Sequence, residues 1–156
     1  MKRRSCGLAA VMVLWSAATA FAETKRVAVV VGNNAGSGEQ PPLHYAETDA
    51  GKMARVLTEL GGVDTADLFL LQGRGVATLK ETLVLAKKRV ASHHQDPANR
   101  VILIFYFSGH SDGEAFELGP DRLTFSELRR WLGTTGAEVR LALVDSCKSG
   151  ALLAAK

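Results

Sequence analysis

The chain has 156 residues, 47% of them hydrophobic and 22% charged, with 19 Lys and Arg against 16 Asp and Glu. Three of the bases, Lys2, Arg3 and Arg4, open the chain, and the first 22 residues contain no acid, so the remainder carries 16 charges of each sign. That balance leaves no basic stripe to argue for nucleic acid, and the hydrophobic share excludes a disordered chain.

Residues 1–22 read as a secretory signal peptide: a basic start, an apolar stretch from Gly7, and Ala20-Phe21-Ala22 as an A-x-A cleavage pattern. Ser16 and Thr19 interrupt an apolar run already shorter than the roughly 20 residues a membrane span needs. Membrane contact is therefore expected only through an uncleaved leader. The mature part, residues 23–156, is expected to be secreted or periplasmic and is long enough for one domain with a core. Of the two cysteines, Cys6 lies in the leader, which leaves Cys147 without a disulfide partner in an oxidising compartment. Two readings of Cys147 stand open: a small buried residue closing a strand, or a reactive thiol.

The β-branched run over 26–32 predicts a strand buried on both faces that opens into Gly32-Asn33-Asn34. Over 45–60, Ala46, Ala50, Met53, Ala54, Leu57 and Leu60 fall at helical spacing, with Gly61-Gly62 as the stop. A second short strand is predicted over 68–71, and a second helix over 76–90 with Leu79, Leu83, Ala86 and Val90 on one face. VILIFYF at 101–107 is the most continuous apolar run of the mature part and predicts a central strand ending at Ser108-Gly109-His110. Short extended pieces at 115–118 and 122–123 predict a small hairpin through Gly119-Pro120-Asp121. Thr124 and Glu127 form a capping box ahead of a third helix bearing Phe125, Leu128, Trp131 and Leu132 and ending at Gly133. Residues 139–144 predict a fourth buried strand. Strands that alternate with helices and are apolar throughout predict a mostly parallel sheet covered on both sides.

In such a sheet, function gathers where strands end at their carboxyl edge. The third strand delivers Ser108-Gly109-His110 there and the fourth delivers Asp145-Ser146-Cys147. If the two are neighbours, about 4.8 Å apart, an imidazole and a thiol can face each other, the arrangement that cysteine hydrolases use. The other histidines compete poorly. His93 and His94 are expected on solvated surface near a helix C-terminus, and with Asp96 they make weak metal ligands; His44 is a turn residue able to line the same edge. The glycine-rich stretch from Gly32 to Gly38 resembles a phosphate cradle, but Glu39 stands where a P-loop needs lysine and Pro41 where the dinucleotide pattern needs glycine or alanine.

Four segments together, RVAVVVGNN at 26–34, LHYAETDA at 43–50, YFSGH at 106–110 and VDSCKSG at 144–150, resemble the catalytic half of the caspase-like cysteine peptidases, nearest the bacterial caspase homologues and metacaspases. The resemblance spans about residues 26 to 153. It implies a three-layer α/β/α sandwich, with Cys147 as nucleophile and His110 as its acid–base partner in a cysteine-type endopeptidase. It further implies that Asp49 and Asp145, with Ser108, line the pocket for the residue on the acyl side of the scissile bond, where two carboxylates favour Arg or Lys. The oxyanion would rest on the backbone amides of Ser111 and Cys147. Ser111 stands where the family usually has glycine, and Lys148 where metacaspases tend to have histidine.

Many metacaspases use calcium, but no ligand set for it is identifiable, so neither a cofactor nor a metal site is assigned. The expected partner is a protein or peptide substrate. The alternative is a non-catalytic caspase-fold module that binds peptides or a partner domain, and a weaker one is a small-ligand binder using the loop at Gly32. The family pattern continues past the cysteine with a further helix and strands, whereas nine residues follow Cys147. The domain is thus expected to be incomplete at its C-terminus, little active alone, and self-associating or completed by another chain.

Overall fold

The structure, a computed structural model, describes residues 23–38 and 40–147. The leader with Cys6, and Lys148 with the residues that follow it, fall outside those residues.

The elements run β1 (Thr24–Gly32), α1 (Ala46–Glu59), β2 (Leu68–Gln72), α2 (Val76–His93), β3 (Arg100–Ser108), β4 (His110–Ser111), β5 (Ala115–Leu118), β6 (Asp121–Thr124), α3 (Phe125–Gly133) and β7 (Val139–Asp145), with a single 3-10 turn at Thr65–Asp67 before β2. β1, β2, β3 and β7 form a four-stranded sheet in the order β2-β1-β3-β7, and all three pairings are parallel. β4, β5 and β6 form a small antiparallel sheet beside it.

The continuous apolar strands are explained by the two faces they supply. Val27, Val29 and Val31 of β1 and Leu103, Phe105 and Phe107 of β3 pack against Leu79, Leu83, Ala86 and Val90 of α2 and Phe125 and Leu128 of α3. The alternate residues Ala28, Val30, Ile104 and Tyr106 meet Ala50, Ala54 and Leu57 of α1 on the other face. The result is three layers, with α1 on one side of the sheet and α2 and α3 on the other. Each fully buried Val, Leu or Phe contributes roughly 1.5–3 kcal/mol of transfer free energy, so β1 and β3 form the framework on which the loops are placed. The small sheet is anchored by Phe116, whose ring centroid lies 4.3 Å from that of Phe107 and 4.8 Å from that of Phe125.

Two expectations require correction. β7 is not a buried strand: Val139, Leu141 and Leu143 are each 44% exposed. It is the edge of the sheet, and their register partners Ile102, Ile104 and Tyr106 mark the face that α1 covers over β1 and β3 but not over β7. Nor is His93 solvated: its Nε2 lies 2.8 Å from Oδ2 of the buried Asp67, and Arg89 Nε lies 3.2 Å from Oδ1 of the same carboxylate. His94 pairs with Glu138 at 3.2 Å. The two histidines therefore tie the end of α2 to the chain ahead of β2 and of β7.

Candidate active site

The pairing of β3 with β7 puts Ser108 directly opposite Asp145. One residue further on, the Gly109 amide still donates to the Asp145 carbonyl at 3.3 Å. The His110 and Cys147 segments thus leave neighbouring strands at the same edge, as the sequence pattern required. A cleft of about 370 Å³ opens there, lined by residues 43–46, Asp49, Ser108, Gly109 and residues 145–147. Asp49, Ser108, Asp145 and Cys147 are brought together in it, with His44 at its wall. Cys147 is a free, exposed thiol, so the reading of a buried strand-closing residue does not hold.

Tyr106, buried on β3 two residues before Ser108, has its phenol held above the ordinary value of 10.0, first by burial; a hydrogen bond to Ser108 opposes the shift, and the charges of Asp145 and Asp49 add to it. Asp49 also forms an ion pair with Lys52 at 2.9 Å on the exposed side of α1, so it serves the helix surface and the cleft at once.

His110 is placed differently. It begins β4, pairs across to Glu117 of β5, and is not among the residues lining the cleft. Its Nε2 lies 3.1 Å from the carbonyl oxygen of Pro41. A carbonyl can only accept, so Nε2 carries the proton, and in the neutral ring Nδ1 is left as the basic nitrogen. Ser111 is buried in extended strand backbone opposite Phe116, and its hydroxyl accepts from the Gly113 amide at 3.3 Å. Extended backbone suits serine as well as glycine.

The loop that supplies Pro41 is held at several points. The Asn33 amide donates to the Ser108 carbonyl at 3.1 Å, and its buried side chain donates to the Arg74 carbonyl at 3.1 Å and accepts from the Ala35 amide at 2.8 Å. Asn34 and Glu47 exchange two bonds of 3.3 Å, each side chain accepting from the other's backbone amide. These asparagines were visible in the sequence only as residues after a strand. Pro41, whose contribution is a backbone oxygen, carried no sequence signal at all.

A second cleft, about 470 Å³, lies at the opposite edge around Arg26, Asp67, Arg89 and His93. It holds no thiol, Asp67 is engaged by Arg89 and His93, and Glu23 is paired with Lys25.

A parallel sheet between helix layers, with an exposed lone thiol and two carboxylates in one cleft at its carboxyl edge, is the architecture of a caspase-like domain. The family model for the caspase domain of peptidase family C14 matches residues 25–154, and the chain belongs to that family. No curated protein matches it.

Proposed function

We propose that the chain is an exported cysteine endopeptidase, near the metacaspase branch of its family, that cleaves after Arg or Lys. The observation that carries this reading is the shared cleft of Cys147, Asp49 and Asp145. The thiolate of Cys147 attacks the scissile carbonyl, and the amides of Ser111 and Cys147 receive the oxyanion. His110 takes the thiol proton on Nδ1 and passes it to the leaving amine. Water, deprotonated by the same nitrogen, then hydrolyses the thioester and restores the thiol. The Pro41 carbonyl supports this division of labour, since it holds the proton on Nε2. Asp49 and Asp145, with Ser108, receive the basic side chain of the substrate.

One observation favours the second reading, a peptide-binding module without catalysis: His110 is not among the cleft's lining residues. Alkylation of Cys147 by iodoacetamide as a function of pH, in wild type and His110→Ala, separates the two. The peptidase reading expects a His110-dependent limb in the profile; superimposable profiles would leave the cysteine a bystander. With fluorogenic peptides, Arg should be preferred over Asp before the scissile bond. Cys147→Ala should abolish turnover, His110→Ala should lower it by orders of magnitude, and Asp49→Ala or Asp145→Ala should weaken the preference.

A further inference from the structure

Glu117 is a buried carboxylate in the middle of the small sheet, 3% exposed, and nothing in the catalytic reading uses it. Its Oε1 accepts from the Ser37 hydroxyl at 2.7 Å, while its Oε2 is buried without a hydrogen-bond partner. Leaving a buried carboxylate oxygen unpaired is costly, and an apolar residue at this position would avoid the cost. Stability therefore does not account for an acid here, whereas its surroundings do.

Glu117 stands directly opposite His110 on the neighbouring strand, and Arg122 flanks it on the other side, paired with Asp112. Directly opposed residues of an antiparallel pair have Cβ atoms about 4.5–5.5 Å apart. The residue before Ser37 is Gly36, and a Cβ built there would lie 2.8 Å from His110 Cδ2. The imidazole thus rests on the backbone of Gly36. Four residues after Ser37 comes Pro41, whose carbonyl accepts from His110 Nε2. Beyond that bond, the loop is joined to the small sheet and its turn by Ser37 to Glu117 and by the Gly119 amide to the Ala35 carbonyl at 3.1 Å.

We propose that Glu117, acting through Ser37, is a positioning residue for His110: it clamps the loop that seats the imidazole on Gly36 and presents the Pro41 carbonyl to Nε2. This rests on the reading of His110 as the acid–base partner of Cys147. The clamp fixes the tautomer in which Nδ1 is free to accept the thiol proton. Among the described residues the other ionisable groups near the histidine are otherwise placed: His44, Asp49, Asp145 and Cys147 line the cleft, and Asp112 is held by Arg122.

The test uses the full chain with ¹⁵N-labelled histidine, reading the His110 tautomer from its ring nitrogen shifts, alongside the thermal midpoint and the His110-dependent part of Cys147 alkylation. Ser37→Ala and Glu117→Leu should both shift the ring away from the Nε2–H form and lower the His110-dependent alkylation several-fold. Glu117→Leu should nevertheless melt no lower than wild type, because it removes the unpaired oxygen. Glu117→Gln, whose amide oxygen still accepts from Ser37, should restore the wild-type tautomer. An unchanged tautomer in both Ser37→Ala and Glu117→Leu overturns the proposal, as does failure of Glu117→Gln to restore it. If alkylation never depends on His110, the peptidase reading fails, while the nitrogen shifts still decide the positioning role.

Discussion

Cys147 gains its surroundings from the close seating of α1 on the end of β1, and a single residue permits that seating. A Cβ built on Gly32 would lie 2.4 Å from the Ala46 carbonyl oxygen, 2.6 Å from Ala50 Cβ and 2.8 Å from Glu47 Cα. None of these belongs to a flexible side-chain end. Gly32→Ala must push the start of α1 outward, and α1 carries Asp49. Overpacking of this kind costs about 1–3 kcal/mol. We expect the thermal midpoint to fall by several degrees and the Arg-over-Asp preference to weaken; a variant that melts and discriminates like wild type would show that the helix yields without consequence. Of the cleft's chemical residues, Asp49, on α1, was singled out only through the family resemblance, whereas Asp145 and Cys147 were legible at this scale as an acid and a thiol at a strand end. Pro41, Ser37 and Glu117 were not, because a backbone carbonyl and a serine–carboxylate bond between residues 80 apart in sequence leave no local pattern.

Among the elements, α3 was the most legible, down to its cap. The Thr124 hydroxyl accepts from the Glu127 amide at 3.1 Å, and the Thr124 amide donates to Glu127 Oε2 at 2.9 Å. Glu127 also meets Lys80 of α2 at 3.0 Å. The backbone amide of Thr124 first, then Lys80 and the Thr124 hydroxyl, lower the Glu127 carboxyl from 4.5 to about 2. Because the folded value is depressed, the unfolded chain binds more protons in this window, and stability rises with pH. The contribution is fully present above about pH 4.5 and is lost as pH falls towards 2. We expect Glu127→Gln to flatten the dependence of the thermal midpoint on pH between those values, and Thr124→Ala to cost about 1 kcal/mol. An equally steep acid limb in Glu127→Gln would place the dependence on other carboxyls. β4 escaped the sequence pattern: two residues have no periodicity, and the strand exists only because β5 returns to pair with it.

At the scale of the whole molecule, the sheet has an apolar edge at β7. Leu141 and Leu143 are exposed on the face where α1 does not reach, and the outer backbone groups of the strand have no neighbouring strand among the described residues. An apolar edge of this kind templates pairing with another strand. We expect the 156-residue chain to self-associate, with apparent size rising with concentration on sizing chromatography. Leu141→Lys combined with Leu143→Lys should return it towards monomer by placing charge on that face. A wild-type chain that elutes as a monomer at all concentrations would mean the edge is not used.

The order of strands and helices, the parallel sheet and the convergence of the His110 and Cys147 segments on one edge were determined by the sequence itself. Apolar periodicity records burial, and a parallel strand always presents its carboxyl end to the same side. The tertiary structure alone decided which strand lies at the edge and which way each side chain is held. Residues 139–144 are apolar at every position but Arg140 and so read as a buried strand, and the exposure of Leu141 and Leu143 follows from their place at the edge, where α1 does not cover them. His93 reads as a surface histidine until the chain ahead of β2 brings Asp67 to it. The orientation of His110 likewise depends on a loop 69 residues distant, and contacts closed over such separations are set by packing, which no local pattern encodes.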